Sequence, residues 1–329
     1  MKKSIAVIGS GSWATALVKI FTDAHVHVHW YVHDETQAEY IQKHHRNPNY
    51  LSEVRFTPRR ITLSTDINEV VLSNKWVVLA IPSAFLGAIL QKLTVPLKDK
   101  ILVSGIKGII PESKCIVGEY LNKEFDVPLD QFVVISGPSH AEEVALERLS
   151  YLTLACTKAA NAVQLQSLLK VNYIKSIVSE DVIGIEYAAL LKNIFALAVG
   201  IAHGLNYGDN FQSVLISNSV REMNRFLNKV SESERDVSNS AYLGDLLVTA
   251  YSLFSRNRRF GNMIGRGYTI KGAQLEMNMV AEGYYASSPI YFQAKQMELK
   301  TPIIDTVYHI LYRQKNPNKS FKKLAKVLD

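Results

Sequence analysis

Near its start the chain reads Ile5-Ala6-Val7-Ile8-Gly9-Ser10-Gly11-Ser12-Trp13-Ala14-Thr15-Ala16-Leu17. An apolar β-branched run leads into two glycines one residue apart and then into a helical pattern. The spacing predicts a strand, a tight turn and a helix in immediate succession. Gly9 permits the turn, and Gly11 lets backbone approach a phosphate group closely. Ala14 takes the third small position, where the helix must pack close to the strand. Such a turn aims N–H groups of a helix N-terminus at an anion, the arrangement that holds a pyrophosphate. The opening therefore predicts a dinucleotide-binding unit with Gly9 and Gly11 in the turn.

The chain has 329 residues, 47% of them hydrophobic, enough for a large core and a length that suggests two domains. Strand-like runs at Ile5–Ile8, Val26–Val32, Trp76–Ile81, Ile101–Ser104, Phe132–Ser136, Leu152–Cys156 and Ile174–Val178 alternate with helix-like runs. The clearest of the helical runs are Ser12–Asp23, Thr36–His45, Ser83–Leu93 and Ala159–Leu169. This alternation predicts an α/β unit, a Rossmann-type doubly wound parallel sheet. Beyond about Glu180 the β-branched runs stop and helical periodicity takes over. We expect a dinucleotide-binding domain over 1–179 and an all-α, substrate-binding domain over 180–329, with Val230–Ser240 as a loop inside it.

The formal net charge is +7. A basic balance suits anionic metabolites as well as nucleic acid or membrane surfaces. Nucleic-acid binding calls for repeated basic clusters with interleaved aromatics, which the sequence lacks. Lys319, Lys322, Lys323 and Lys326 read as a solvated face. Cys115 and Cys156 stand far apart without metal-ligand spacing, which fits a reduced, cytoplasmic setting. Met1-Lys2-Lys3-Ser4 leads into a strand rather than a signal peptide. The most apolar long stretch, Leu190–Ala202, holds Lys192 and Asn193 and is expected to be too short for a transmembrane segment.

Several segments could carry chemistry. Asp34 lies about 20 residues past the glycine turn, where an acid would grip an NAD ribose; its neighbour His33 would instead accommodate a 2′-phosphate. His25, His27 and His29 alternate along one strand, favouring a polar strand face over a metal site. Three strand-to-helix turns follow. Ser83 after Ile81-Pro82 is an expected N-cap. Lys107 in Ser104-Gly105-Ile106-Lys107-Gly108 can lean over an anion or lie in solvent. Ser139 and Glu142 in Ser136-Gly137-Pro138-Ser139-His140-Ala141-Glu142 form an expected capping box.

In the second half Lys192 sits among Leu190, Leu191, Ile194, Phe195, Leu197 and Val199. Desolvation lowers the pKa of such an ammonium, which then delivers a proton near neutral pH; the alternative is a lysine that snorkels from the helix edge. Ser255-Arg256-Asn257-Arg258-Arg259-Phe260-Gly261 places three guanidinium forks in four residues, a match to phosphate oxygens. Asp245 in Leu243-Gly244-Asp245-Leu246-Leu247 is a lone carboxylate in apolar company and needs a partner. Val280-Ala281-Glu282-Gly283 interrupts a helical stretch.

Taken in order, these segments resemble the bacterial NAD(P)-dependent glycerol-3-phosphate dehydrogenases. The resemblance rests on Gly9-Ser10-Gly11-Ser12-Trp13, Lys107-Gly108, Ile135-Ser136-Gly137-Pro138, Lys192-Asn193, Gly244-Asp245-Leu246, Glu282-Gly283 and above all the segment from Ser255 to Gly261. It implies reversible reduction of dihydroxyacetone phosphate to sn-glycerol 3-phosphate with NADPH or NADH. It implies that Lys192 moves the proton, with Lys107 and Asp245 beside it. Lys107, Gly137, Ser139, Lys192, Asp245, Ser255, Arg256 and Asn257 would meet the substrate. Ser12, Trp13, His33, Lys107, Ala141, Arg256, Val280 and Glu282 would join Gly9 and Gly11 at the cofactor. Small molecules are the implied partners, with no nucleic acid, and a homodimer is compatible with the family. The sequence departs from the family pattern at Ile106 and at Ala189-Leu190-Leu191. Two other readings compete: a two-domain dehydrogenase of a β-hydroxy acid or sugar acid, and a dinucleotide sensor without turnover.

Overall fold

The apolar run at the start forms the inner strand of a sheet, and the sheet sets the architecture of the first half. In the computed structural model, which describes residues 3–277 and 281–329, eight strands form one sheet. They are β1 (Ser4–Ile8), β2 (His27–Tyr31), β3 (Ile61–Ser64), β4 (Trp76–Leu79), β5 (Ile101–Ser104), β6 (Phe132–Ser136), β7 (Ser150–Ala155) and β8 (Ile174–Ser179). The spatial order is β3-β2-β1-β4-β5-β6-β7-β8. The chain returns across β1 after β3, so the strand order reverses between β1 and β4, the switch point at which such sheets bind ligands. Strands β4, β5 and β6 are buried along their whole length, which is why they read as unbroken apolar runs.

Most neighbouring strands pair in parallel, as the alternation predicts, but β6 and β7 are antiparallel. The short helix and turn between them reverse the chain without the crossover that a parallel pair needs. The edge strand β3 was not evident from sequence, because Ile61-Thr62-Leu63-Ser64 is only four residues long and partly exposed.

The helices of this half are α1 (Ser12–Asp23), α2 (Glu35–His44), α3 (Ile67–Leu72), α4 (Ser83–Leu90), α5 (Val117–Phe125), α6 (Ala141–Ala145) and α7 (Ala159–Leu168). Two caps differ from expectation. Pro82, with φ −60° and ψ 142°, occupies the N-cap of α4, so Ser83 is its first helical residue. His140 precedes α6 and makes no side-chain cap, while the Ser139 hydroxyl donates to the Gly137 carbonyl at 3.0 Å. The Ser139–Glu142 capping box therefore does not form, because the helix starts two residues after Ser139.

The chain divides into two compact units, one of Met1–Ile106 with Cys115–Val182 and one of Lys107–Lys114 with Ile183–Asp329. The second is helical: α8 (Val182–Gly204), α9 (Asp209–Val230), α10 (Asp245–Tyr251), α11 (Arg256–Gly265), α12 (Ile270–Glu276), α13 (Glu282–Gln296), α14 (Pro302–Arg313) and α15 (Pro317–Leu324). The apolar stretch expected to be too short for a bilayer belongs to the 23-residue helix α8, which by length and composition could cross one. Its most apolar window is 94% buried inside the protein, so an all-round apolar sequence here marks a core helix.

Helix α8 lies against α11 with glycines facing on both sides. A Cβ on Gly200 would stand 2.1 Å from the Arg258 carbonyl oxygen, and one on Gly261 would stand 2.2 Å from that of Leu197. Gly204 and Gly265 meet the opposite helix just as closely. This contact brings together the backbones of the helices that carry Lys192 and Arg256. Gly261→Ala should therefore destabilise the protein by about 1–3 kcal/mol or more, since the obstructing atoms are backbone and cannot rotate aside. Denaturant unfolding of the variant checks this; a midpoint equal to wild type would show that the two helices separate freely.

Candidate active site

In the first unit the glycine turn sits at the carboxyl end of β1. Gly9 has φ +119°, a conformation open to glycine and closed to most side chains. Polar side chains distant in sequence hold the turn. The Trp30 indole donates to the Gly9 carbonyl at 2.6 Å. Asn47, fully buried, donates through Nδ2 to the Ser10 carbonyl at 2.9 Å and to Thr15 Oγ1 at 2.8 Å. Gln37 donates to Asn47 Oδ1 at 2.9 Å. The Thr15 hydroxyl donates in turn to the Gly11 carbonyl at 2.9 Å.

A dinucleotide fits these residues. The Cβ direction of Gly11 faces open space with no atom within 4 Å, and the buried Nε1–H of Trp13 has no partner among the described residues. His33 is exposed in the loop after β2. Asp34 caps α2, its carboxylate accepting from Gln37 N at 2.7 Å. Gly137, at φ +105°, and Ser139 occupy the turn after β6, and Ala141 opens α6. The three strand-end turns that carry these residues follow β1, β2 and β6, which run parallel through the sheet.

The second unit holds a buried ionic cluster. A π-helical turn, Ser240–Gly244, delivers Asp245 as the first residue of α10. Asp245 is 1% exposed and Lys192, on α8, 5%. Lys192 Nζ donates to Asp245 Oδ1 and, at 2.9 Å, to Thr249 Oγ1. The Thr249 hydroxyl donates to the Asp245 carbonyl at 2.6 Å; an i, i+4 spacing on α10 sets the two on one face. Lys107 Nζ donates to Asp245 Oδ2 at 3.0 Å, and Asn193 Nδ2 donates to the Lys107 carbonyl at 2.8 Å. Two ammonium groups thus share one carboxylate.

Burial pushes the Lys192 ammonium down, the Asp245 carboxylate pulls it back, and Lys107 lowers it again, leaving it at about 7. Burial alone would raise Asp245, but the two ammonium groups hold it below its ordinary range. Lys192 is therefore placed to exchange a proton near neutral pH, while Asp245 stays ionised.

The arginine segment lies at the start of α11. Ser255 is its N-cap and accepts from Arg258 N at 3.2 Å; Arg256 is the first helical residue and is exposed. Asn257 Oδ1 accepts from Gly283 N at 3.0 Å, next to Glu282 at the start of α13. Gly283 lies so close to the Asn193 carbonyl that a Cβ would stand 2.6 Å from it. The start of α11, the start of α13 and the middle of α8 thus converge. Val280 lies outside the described residues.

The side chains of His27 and His29 take structural partners, while His25 turns the chain at φ +64°. His27 Nε2 lies 2.9 Å from Thr62 Oγ1, His29 Nδ1 lies 2.8 Å from Asn74 Nδ2, and the rings of His27 and His29 meet edge-on at 5.1 Å. Among the described residues no group of three or more His, Cys, Asp or Glu side chains could hold a metal ion.

Two family models cover almost the whole chain: the NAD-dependent glycerol-3-phosphate dehydrogenase N-terminus over residues 4–162, and the C-terminus of the same family over 181–322. The chain belongs to this family. It is 33% identical over 324 residues to the NAD(P)+ glycerol-3-phosphate dehydrogenase of Bacillus pumilus, covering 98% of this chain and 94% of that one. The enzyme of the same name from Lysinibacillus sphaericus is 35% identical over 318 residues, covering 96% and 94%. The crystal structure of glycerol-3-phosphate dehydrogenase from Coxiella burnetii superposes with a TM-score of 0.91 at 27% identity, covering 99% of both chains.

Sequence reading missed two groups in this dehydrogenase-family chain. Thr249 is an ordinary helical threonine until the fold sets it on Lys192; its i+4 offset from Asp245 was the only signal. Asn47 follows α2 in an irregular segment, and nothing local marks it as the support of the glycine turn. Asn47→Ala should weaken NADPH binding about five- to a hundredfold, because it strips partners from buried carbonyl and hydroxyl groups at a cost of about 1–3 kcal/mol. Fluorescence titration with NADPH decides it; unchanged affinity would mean that Trp30 holds the turn alone.

Proposed function

We propose that the chain catalyses the reversible NAD(P)-dependent reduction of dihydroxyacetone phosphate to sn-glycerol 3-phosphate. The observation that carries this reading is the buried cluster of Lys107, Asp245 and Lys192, within a chain that matches the family over both halves. A dinucleotide sensor has no need of a buried lysine tuned toward neutral pH. A hydroxy-acid dehydrogenase has no need of the arginine-rich start of α11.

In this reading Gly9, Gly11, Ser12, Trp13, His33 and Ala141 hold the dinucleotide, with Lys107, Arg256, Val280 and Glu282 on its nicotinamide side. When bound, the dinucleotide supplies or accepts the hydride. Arg256 and Asn257, with Ser255, bind the substrate phosphate through charge-assisted hydrogen bonds. Gly137 and Ser139 line the same substrate. Lys192 Nζ donates its proton to the carbonyl oxygen as that oxygen gains negative charge, and Lys107 stabilises the charge beside it. Asp245 keeps both ammonium groups aimed and, by staying ionised, keeps Lys192 from becoming too weak a base to hold its proton. Two ammonium groups sharing one carboxylate suit an anionic reactant, both the phosphate ester and the developing alkoxide. Neither Cys115 nor Cys156 forms a disulfide, and the phosphorylated reactants are water-soluble, which supports a cytoplasmic setting.

The direct test is a steady-state assay with NADPH and NADH against dihydroxyacetone phosphate and a panel of other phosphorylated ketones and hydroxy acids. Turnover with dihydroxyacetone phosphate in preference to the panel is expected. NADPH should serve at least as well as NADH, since Asp34 caps α2 and His33 is exposed. His33→Ala should weaken NADPH more than NADH; a wild type that prefers NADH, with Asp34→Ala relaxing the preference, would assign the ribose contact to the acid.

Lys192→Ala should lower kcat about 10²–10⁴-fold while dinucleotide affinity stays near wild type. In the wild type, kcat for reduction should fall as pH rises through the lowered Lys192 pKa of about 7, because reduction needs the ammonium form. Oxidation of glycerol 3-phosphate needs the amine and should rise over the same interval. A reduction rate that stays flat up to the ordinary lysine range would remove Lys192 from the proton step.

Arg256→Ala should raise KM for dihydroxyacetone phosphate about ten- to a hundredfold, the worth of a hydrogen bond to a charged group at about 1.5–3 kcal/mol. An unchanged KM would move the phosphate contact to Arg258 or Arg259.

A further inference from the structure

Three neighbouring strands of the first unit, β1, β2 and β3, start beside one cavity of about 380 Å³. Its lining is Lys3, His25, His27, Thr57, Arg59 and Arg60. Each residue comes from just before, or at the first position of, its strand, so the cavity lies at the amino-terminal edge of the sheet. The glycine turn is at the opposite edge, since it follows the carboxyl end of β1. Six residues of extended chain separate Lys3 from Gly9, roughly 20 Å.

Among the described residues no carboxylate lines this cavity. Three permanently cationic side chains, two imidazoles and a hydroxyl surround a space of the size that small-molecule sites occupy. Backbone holds the walls in place: the His27 N–H donates to the Lys3 carbonyl at 2.9 Å, tying the start of β1 to that of β2. Arg60 Nη1 donates to the His25 carbonyl at 3.0 Å, tying the segment before β3 to the same wall. His25 itself holds φ +64°, so the chain turns sharply there. Like charges gathered in one concavity repel one another and raise the local concentration of anions. Arginine forks add a geometric match to phosphate oxygens.

We propose that this cavity is an anion site separate from the dinucleotide and substrate sites, taking a soluble ligand with two or more phosphate groups. Lys3, His25, Thr57 and Arg59 are exposed around this open depression, with Lys3 and Arg59 supplying charge, and His27 and Arg60 are half-buried. The proposal does not depend on the reaction assigned above, because no residue of the cavity belongs to that machinery.

The test uses inorganic pyrophosphate, titrated calorimetrically into the full chain with NADPH at saturation. One binding event per chain is expected to persist under NADPH. The double variant Lys3→Gln, Arg59→Gln should weaken it at least tenfold while KM for NADPH and for dihydroxyacetone phosphate stays unchanged. A control that removes the same charge elsewhere, Lys319→Gln with Lys322→Gln, should leave the affinity at the wild-type value. No heat of binding, displacement by NADPH, equal affinity in the first double variant, or equal loss in the control would each overturn the proposal. Co-sedimentation with phosphatidylserine vesicles that the first double variant abolishes, with pyrophosphate silent, would also overturn it by assigning the cations to a lipid surface.

Discussion

The helical unit is organised around one buried carboxylate. Asp245 is almost wholly out of water and meets two ammonium groups. Removing one partner of such a buried pair typically costs about 3–5 kcal/mol, because the other is left as an uncompensated charge. That penalty makes the cluster strict about its surroundings. The α8 backbone must bring Lys192 to α10, and the segment that follows β5 must bring Lys107 to the other carboxylate oxygen. Thr249 accepts a further hydrogen bond from Lys192, and Asn193 ties the Lys107 backbone to α8. Burial and the neighbouring Lys107 ammonium together lower the Lys192 pKa, while the shared Asp245 carboxylate offsets part of that shift.

Close backbone packing is the means by which that geometry is held. Glycines on α8 and α11 let the two helices touch, so the lysine on one and the arginine segment on the other are placed by main chain and not by adaptable side chains. Asn257 adds a polar tie from the start of α11 to the start of α13. In the other unit a comparable task falls to hydrogen bonds. Trp30, Gln37 and Asn47 satisfy the carbonyls of a turn whose glycine conformation is intrinsically loose. The two units thus hold these segments by different means, the first through a buried polar network and the second through tight helix contact.

Much of the first unit was legible because the signals are local. A β-branched run before a glycine turn, the alternation of strand and helix, and period-two or unbroken apolar patterns all arise from chain geometry that each segment expresses alone. Errors fell where a neighbour decides. Ser83 and Ser139 are good capping residues by type, yet Pro82 and His140 take those positions, because α4 starts one residue earlier and α6 one residue later than the side chains suggest. Strand β3 escaped notice because four partly exposed residues carry too little apolar pattern. Helix α8 looked shorter than it is because its polar residues, Glu186 among them, are buried by tertiary contacts that a sequence window cannot register.

By itself the sequence determined the glycine turn, the α/β character of the first half, the helical character of the second, and the identity of the lysine and arginines that carry charge. Each depends on residue type and short-range spacing. Only the tertiary structure decided that Lys192 and Lys107, 85 residues apart in number, share the carboxylate of Asp245. Only it decided that Asp34 caps a helix, and that Lys3, His25, His27, Arg59 and Arg60 surround one cavity. The physical reason is common to all three. Electrostatic partnership and burial depend on distance through space, and a chain sets that distance only when its elements have packed.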